Sequence, residues 1–463
     1  MVWGGNDGAV DRWVKQLNEN DPKLTSLHIL SFRHITTHEL TRIFNAIAHN
    51  TILQNLYISG HQLDATSIEA LSESLTLNET LKSLNIGHAA FGQRPDLFSI
   101  FCEGLAVNEG LELLDFENKA LNYESVKLLA DALAKNQHLS EINLARNELN
   151  DDSIATLAPS LSKLTKVNLS MNKIGVKGAE ALACHVLGNA ASQVQELDIS
   201  ENPLLEGAAM LATALGHNKH LHVLKMVNVV SPDEDTLLPP PALSNSELSE
   251  QPQETNQEFS IYGNALMQAI GQSLITNRHL THLWLDNNSI ESKALDTLVT
   301  HLDNSALIEL NLRQNLIDDN GAYMLANTTT LQHLELGQNQ ITAKGFGKLL
   351  DHSSLQYLGL FSNTVGGFAN DELPELITSR VHRLDIGCNG IVHEDLKAIA
   401  QVLINGGVPE LRLLEMGGNV EDKELELWEK TMEDILKQRQ KLEIIWKRKP
   451  SQMENQQAPP NIM

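Results

Sequence analysis

The sequence has 463 residues and a net charge of −25, from 59 acidic and 34 basic residues. This balance argues against binding of nucleic acid or of an anionic membrane surface, because phosphate groups would be repelled. The three cysteines form no C-x-x-C pair, and no apolar run approaches the roughly 18 residues of a membrane span. We therefore expect a cytoplasmic monomer without a cofactor, a metal or membrane insertion, and a protein with a basic surface as its partner.

Residues 1–24 are predicted to form an N-terminal helical cap. Trp13 and Leu17 belong to an apolar stripe at helical spacing, and an Asp-Pro pair at 21–22 ends the helix before an imperfect first strand near residues 24–30. Because such stripes are usually buried, Trp13 is interpreted as a core residue and not as a ligand contact.

An eleven-residue template, L-x-x-L-x-L-x-x-N-x-Φ with an apolar Φ, recurs along most of the chain, most clearly at 280–290, 307–317 and 331–341. Its alternating apolar residues predict a short strand with one buried face, and linking segments such as 67–77 and 125–134 have helical spacing. Successive copies begin 24–30 residues apart, except for one step of 59 residues. Their first positions are Leu53, Leu81, Leu111, Leu139, Leu164, Val194, Leu221, Leu280, Leu307, Leu331, Leu355, Val381 and Leu411.

Asparagine recurs at two places in the repeat. At the ninth template position its side chain is expected to bond backbone groups of neighbouring turns. These residues are Asn147, Asn172, Asn202, Asn288, Asn315, Asn339, Asn363, Asn389 and Asn419. Four turns depart from this rule, with His61, Ala89, Lys119 and Val229, and we expect them to be less regular.

A second set of asparagines lies three residues before a template leucine and is predicted to end helices in the left-handed conformation. It comprises Asn50, Asn78, Asn108, Asn136, Asn218, Asn277 and Asn304.

The 59-residue step contains an acidic insertion over residues 230–258, with seven acidic residues, no Lys or Arg and three consecutive prolines. This composition predicts disorder. The insertion is either a tolerated surface loop or an acidic flap that docks a partner. A C-terminal cap is predicted from about residue 423, with a helix over 423–439 and a strand over 442–446, and residues 447–463 are predicted to be a disordered tail.

The template with helical links resembles the ribonuclease-inhibitor type of leucine-rich-repeat protein, and the resemblance covers roughly residues 24–446. It implies an α/β leucine-rich-repeat solenoid, or horseshoe, over residues 25–446, with parallel strands on the concave face, α-helices on the convex face and about 13–14 repeats. The family includes enzyme inhibitors, GTPase-activating proteins, innate-immune receptor segments and effectors of intracellular bacteria. For such an effector the expected location is the host cytosol. Ribonuclease inhibitor itself is cysteine-rich, and this chain is not.

Template positions three, five, seven and eight are predicted to project from the concave face. Trp284, Tyr357 and Phe361 are the predicted anchors, because exposed aromatic residues are enriched in interface hot spots. The alternative for Trp284 is packing against Asn311 and Lys225 without a ligand. The full set of predicted partner-binding residues is His282, Trp284, Asp286, Glu309, Arg313, Glu335, Tyr357, Phe361 and Asp385.

The sequence contains no phosphate loop, no G-x-S-x-G elbow and no H-E-x-x-H motif. A histidine cluster at 217–222 is a weak candidate for a metal site, and Cys388 with His382 or His393 is a weak candidate for a nucleophile and base. We therefore predict a non-catalytic interaction scaffold, an effector or adaptor whose acidic, aromatic-containing concave face binds a partner protein. The alternative is a regulator of a small GTPase similar to a Ran GTPase-activating protein, and an enzyme is the third possibility.

Overall fold

In the computed structural model, the described residues are 8–231, 254–367 and 379–447. The chain divides into two compact units, Met1–Glu247 and Leu248–Met463. Residues 232–253, which make up most of the predicted acidic insertion, and residues 448–463 of the predicted tail lie outside the described part.

The first unit alternates strands and helices, and each strand pairs in parallel with the next one in the chain. Its described strands are β1 Ser26–His28, β2 Asn55–Ser59, β3 Ser83–Gly87, β4 Leu113–Asp115, β5 Glu141–Asn143, β6 Lys166–Asn168, β7 Glu196–Asp198 and β8 Val223–Lys225. Its described α-helices are α1 Ala9–Asn18, α2 Thr37–Ile47, α3 Ala65–Leu77, α4 Pro95–Val107, α5 Tyr123–Lys135, α6 Asp151–Leu161, α7 Val176–Leu182 and α8 Gly207–Ala214.

The second unit repeats the same parallel pairing. Its described strands are β9 His282–Trp284, β10 Glu309–Asn311, β11 His333–Glu335, β12 Tyr357–Gly359, β13 Arg383–Asp385, β14 Leu413–Glu415 and β15 Glu443–Ile445. Its described α-helices are α9 Glu254–Ser273, α10 Leu295–Leu302, α11 Asp319–Ala326, α12 Ala343–Leu350, α13 His393–Ile404 and α14 Leu425–Gln438. Helix α9 thus begins inside the range that the sequence assigns to the insertion.

The fold class, an α/β leucine-rich-repeat solenoid with parallel strands, is confirmed. Leu283, Leu310 and Leu334 lie side by side in register on β9, β10 and β11, and all three are fully buried. The flanking residues of these strands keep part of their surface, because successive side chains of a strand point to opposite faces. The structure has 15 strands among the described residues, since β1 and β15 add to the thirteen template copies.

The ninth-position asparagines form the predicted ladder between turns. Asn315 is typical: its side-chain amide donates to the carbonyls of Leu285 and Leu312 at 3.0 Å, and its Oδ1 accepts from the backbone N–H groups of Asn288 and Ile290 at 3.0 Å. The side chain thus forms hydrogen bonds with buried backbone groups of neighbouring turns.

Lys119 occupies the template position of a ladder asparagine but forms different hydrogen bonds. It is 1% exposed, and its Nζ donates to Ser59 Oγ at 2.8 Å and to the Gly87 carbonyl at 3.0 Å. Its long side chain therefore spans two neighbouring turns, where His61 and Ala89 also lack an asparagine. Burial lowers the pKa of the Lys119 ammonium to about 8, because a desolvated charge is disfavoured.

The prediction of left-handed asparagines at the helix ends is wrong. Asn78, for example, is extended, with φ of −94° and ψ of 120°. Its amide donates to the carbonyls of Ile47 and Asn50 at 2.7 and 2.8 Å, and its Oδ1 accepts from Leu81 N at 2.8 Å. With an extended backbone, the Asn78 side chain can bond the preceding turn and the start of the next strand at the same time. Left-handed residues occur instead just before the ladder position, as at Arg146 with φ of 58°.

Candidate functional site

One face of the second-unit sheet is formed by the buried leucines. The opposite face carries all nine predicted partner-binding residues. We call this surface, from β9 to β14, the open face. The strand register arranges its side chains in three rows. The first row is His282, Glu309, His333, Tyr357, Arg383 and Leu413. The second is Trp284, Asn311, Glu335, Gly359, Asp385 and Glu415. The third, two residues further along each repeat, is Asp286, Arg313, Gly337, Phe361, Gly387 and Gly417.

Glu309 connects the first two rows. Trp284 Nε1 donates to Glu309 Oε1 at 2.7 Å, while the rings of His282 and His333 lie 3.8 and 3.6 Å from Glu309 Oε2. Trp284 is half-buried and lies opposite Asn311 in the register. Its polar edge, however, is held by Glu309, which sequence reasoning did not link to it.

Glu335 and Asp385 flank Gly359 on the neighbouring strands. Glu335 accepts hydrogen bonds from the Tyr357 hydroxyl and from Gly337 N, each at 2.7 Å. Its carboxylate lies over Gly359, since a Cβ added there would be 2.1 Å from Oε2. Glycine at this position therefore lets the Glu335 carboxylate lie toward Asp385.

Three carboxylates of the open face form no close ion pair, although the charges of Arg313 and Arg383 act on Asp286 and Asp385. Among the described residues, no Lys, Arg or His nitrogen lies within 4.0 Å of a carboxylate oxygen of Asp286, Glu335 or Asp385. Burial, with a contribution from the negative charge of Glu335, raises the pKa of Asp286 to about 6. Its Oδ2 is buried without a hydrogen bond. Burial and the charges of Glu415 and Glu335 also raise the pKa of Asp385.

The two guanidinium groups of the open face stack on its aromatic rings. The Arg313 guanidinium lies 5.8 Å from the Phe361 ring centre, and that of Arg383 lies 5.2 Å from the Tyr357 ring centre. Arg383 also donates from Nε to Glu415 at 2.7 Å. The open face thus carries two guanidinium groups against five carboxylates, an excess of three negative charges. The carboxylates belong to Asp286, Glu309, Glu335, Asp385 and Glu415.

The corresponding face of the first unit is acidic as well, and two of its carboxylates have partners on neighbouring strands. Asp115 accepts from the side-chain amides of Asn85 and Asn143 at 2.7 and 3.0 Å. Glu196 lies 2.9 Å from Lys166 Nζ and 3.1 Å from Lys225 Nζ. Glu196, which lies between two lysines, has less to gain from an external cation than a carboxylate without a close ion pair.

The catalytic and metal alternatives receive no support from the geometry. His382 is hydrogen-bonded to Glu410 at 2.9 Å and His393 to Thr431 at 3.1 Å, and in the described part of the chain neither forms a hydrogen bond with Cys388. The described residues also hold no group of three or more His, Cys, Asp or Glu side chains arranged to bind a metal ion.

Sequence reasoning missed the glycines of the open face. Gly337, Gly359 and Gly387 occupy projecting template positions and leave space for the neighbouring carboxylates and for Phe361. The available signal was their position in the template, because a glycine at a projecting position of a strand often marks close approach of another group.

A family model described as Leucine Rich repeat matches residues 135–158 and 160–183 of the first unit and residues 303–326 and 327–350 of the second. Leucine-rich repeat-containing protein 45 of Gallus gallus is 31% identical over 90 residues, which are 19% of this chain and 13% of that protein. Leiomodin-2 of Homo sapiens is 27% identical over 82 residues, 18% of this chain and 15% of that protein. The matches thus cover less than a sixth of these relatives.

Solved structures of low sequence identity also resemble the chain. The yeast Rad7 and Elc1 complex matches with a TM-score of 0.44 and 15% identity over 96% of this chain and 94% of that one. The complex of TLR13 with ssRNA13 matches with a TM-score of 0.45 and 16% identity over 86% of this chain and 58% of that one. Within the described residues, no helix has the length and apolar character needed to cross a bilayer.

Proposed function

Because the chain is a leucine-rich-repeat protein, we propose that it is a non-catalytic scaffold whose open face binds a basic surface of a partner protein. The observation that carries this proposal is the excess of three negative charges on a face that also holds half-buried aromatic side chains. Carboxylates without a cation gain most from an external positive charge, and aromatic residues supply contact area at low entropic cost.

The roles within the face follow from its contacts. Trp284, Tyr357 and Phe361 are the proposed anchors, and each is only partly exposed, so little side-chain freedom remains to be lost on binding. Asp286 and Asp385 are proposed to attract and orient the partner, since their pKa values are raised by burial and by like charges that a cation would offset. An effector or adaptor of the ribonuclease-inhibitor type, acting as a cytoplasmic monomer by occlusion or recruitment, fits this arrangement.

The test is affinity capture from cell extract with the wild type and a Trp284→Ala, Phe361→Ala double variant. A matched control, Phe32→Ala with Tyr57→Ala, removes two aromatic side chains from the first unit, where Phe32 is 73% exposed and Tyr57 lies on β2. We expect basic partners that both the wild type and the control retain and that the open-face variant loses. Equal capture by all three proteins would contradict the proposal.

A further inference from the structure

The first unit has an open cavity of about 270 Å³ at strands β1 and β2. The rings of His28 and Tyr57, which are partners in the strand register and whose centres lie 4.4 Å apart, form part of its wall. Leu30, Ser31 and Ser59 also line it. Sites for small molecules usually have about 300–1,000 Å³, so a cavity of this size suits a single side chain better than a cofactor.

The part of the sheet around this cavity contains no acidic residue. Strands β1, β2 and β3 with the turns that follow them, residues 26–34, 55–61 and 83–89, have no Asp or Glu but one arginine and four histidines. The next strand, β4, is the first to carry a carboxylate, that of Asp115. Salt at physiological concentration screens exposed charges over about 8 Å, so this local charge and not the net charge of −25 acts on a group in the cavity.

Lys119 places a buried positive charge behind the cavity. Its ammonium group donates to Ser59 Oγ at 2.8 Å and to the Gly87 carbonyl at 3.0 Å, and both partners are neutral. The carboxylates of Asp115 and Glu117 act on it without a hydrogen bond. Because Ser59 Oγ accepts from the ammonium group, the Ser59 hydroxyl proton can be donated to an acceptor in the cavity.

We propose that this cavity, which we call the first-unit pocket, binds the carboxylate of an acidic side chain of a partner protein. Leu30 and Phe32 contact the apolar residues that flank this acidic side chain in the partner. The inference goes beyond the proposed function, because it concerns the other unit and a ligand of the opposite charge. The scaffold then has separate sites for an acidic and for a basic partner.

The donors of the pocket favour a carboxylate over an amide or an ammonium group. Ser31 and Ser59 each bring a hydroxyl group, and Lys119 lies directly behind Ser59. A carboxylate has two oxygens that only accept hydrogen bonds, and its charge is attracted by Lys119. An amide lacks this charge, and an ammonium group is repelled.

Two exposed apolar side chains lie beside the pocket. Leu30 is 56% exposed and Phe32 is 73% exposed, and both belong to the turn in which Arg33 N donates to the Leu30 carbonyl at 2.9 Å. Large apolar side chains grouped next to a cavity are typical of interaction sites, because a partner that covers them removes apolar surface from water. The apolar contact therefore supplies affinity, and the carboxylate orients the partner.

The aromatic wall of the pocket is held in place before a ligand binds. His28 Nε2 lies 2.7 Å from Ser26 Oγ, and the Tyr57 hydroxyl lies 3.0 Å from Ser83 Oγ. Both rings thus have a hydrogen-bond partner besides their contact with each other. Little side-chain freedom remains to be lost on binding, which lowers the entropic cost of the complex.

The binding test uses defined peptides and the full chain. Acetyl-Ser-Leu-Glu-Leu-Ser-amide is titrated into the methyl-labelled protein, and the methyl signals of Ile29 and Leu30, which line the pocket, are followed by NMR. Peptides with glutamine or lysine in place of glutamate are the comparisons. We expect saturable shifts with the glutamate peptide, binding at least about tenfold weaker with glutamine and none with lysine.

Two outcomes of this titration would overturn the inference. Equal binding of the glutamine peptide would show that the carboxylate charge is not recognised. Methyl shifts of Ile29 and Leu30 that follow protein concentration without any peptide would show that a second copy of the chain occupies the pocket.

Variants test the position of the site. Ser59→Ala with Phe32→Ala should weaken binding of the glutamate peptide at least about tenfold, because it removes a donor and an apolar contact. The matched control, Ser99→Ala with Tyr123→Ala, removes the same kinds of group from exposed positions of α4 and α5 and should leave binding unchanged. Equal binding by both double variants would refute the site.

Lys119→Met tests the buried charge, since it keeps a long side chain and removes the ammonium group. It should weaken binding of the glutamate peptide at least about tenfold but leave the weaker binding of the glutamine peptide unchanged. An equal loss with both peptides would show a structural effect and contradict the role of the charge. Thermal unfolding establishes that the variant is folded at the temperature of the titration.

The aromatic variants separate this inference from the proposed function. Phe32→Ala with Tyr57→Ala should lose the glutamate peptide and keep the basic partners in affinity capture. Trp284→Ala with Phe361→Ala should bind the glutamate peptide as the wild type does. If the first variant keeps the peptide, the first-unit pocket is wrong and the scaffold function of the open face stands.

Discussion

The charged residues of this protein differ in the hydrogen bonds and neighbouring charges that stabilise them. Glu309 shares a hydrogen bond with Trp284 and lies near two histidines, whereas Asp286, on the same face, has one carboxylate oxygen that is buried without a partner. Lys119 is buried too, but its ammonium group donates to Ser59 and Gly87. A buried charge without such bonds destabilises the folded state, and one with them joins neighbouring turns.

Asp286→Asn should stabilise the second unit at neutral pH. The raised pKa of Asp286, about 6 in the folded protein against 3.8, means that folding favours its protonated form. Wild-type stability is therefore lost as pH rises from about 4 through 6, and the variant avoids this loss. We expect a gain of about 1 kcal/mol at pH 7, less than the full shift gives because water screens a partly exposed carboxylate, and no gain at pH 4. Urea denaturation at both pH values measures it, and an equal effect at pH 4 would contradict the role of ionisation.

Lys119→Ala should destabilise the first unit by about 2–3 kcal/mol, because it leaves a cavity and two polar groups without their partner. Lys177, an exposed lysine of α7, provides the matched control, and Lys177→Ala should change stability by less than about 0.5 kcal/mol. The urea midpoints of both variants give the comparison. Equal midpoints would show that the buried hydrogen bonds of Lys119 contribute nothing.

Each element of the repeat depends on its neighbours, because a three-residue strand has no stable structure alone. The strands are joined along one edge by the asparagine ladder and through their centres by the buried leucines. The second-unit strands also place the open-face side chains, since Glu335 belongs to β11, Gly359 to β12 and Asp385 to β13. A shift of one residue in any strand would turn these side chains to the opposite face.

Asn315→Ala should lower the stability of the second unit by about 2–4 kcal/mol, because buried carbonyls and N–H groups of three turns lose their partner together. Asn327, exposed at the end of α11, is the control, and Asn327→Ala should cost less than about 0.5 kcal/mol. Hydrogen exchange at Asn288 N and Ile290 N, which donate to Asn315, should accelerate in the first variant only. Unchanged protection there would contradict the ladder.

For the whole molecule, the net charge and the distribution of charge have different effects on a basic partner. The net charge of −25 attracts cations to the protein in general. The open face carries an excess of three negative charges, while Glu196 of the first-unit face lies between two lysines. Under the proposed function, long-range attraction sets the rate of encounter and the open face selects which partner stays bound.

Binding of a basic partner should weaken as salt rises. Between about 50 and 500 mM NaCl we expect the affinity to fall at least about tenfold for the wild type and for Trp284→Ala, because both keep the carboxylates. Glu335→Gln with Asp385→Asn should show a flatter dependence. Surface plasmon resonance with a captured partner provides the measurement, and a wild-type affinity independent of salt would rule out the electrostatic part of the proposal.

The amino-acid sequence by itself determined the repeat, its strands, the buried leucines and the asparagine ladder, because each depends on a local period that recurs in every turn. It also assigned Trp284, Glu335, Tyr357 and Asp385 to one face. Only the tertiary structure decided how they meet: Trp284 donates to Glu309, and the Glu335 carboxylate lies over Gly359 toward Asp385. The physical reason is that these contacts join side chains of different repeats, whose rotamers and neighbouring glycines no period encodes.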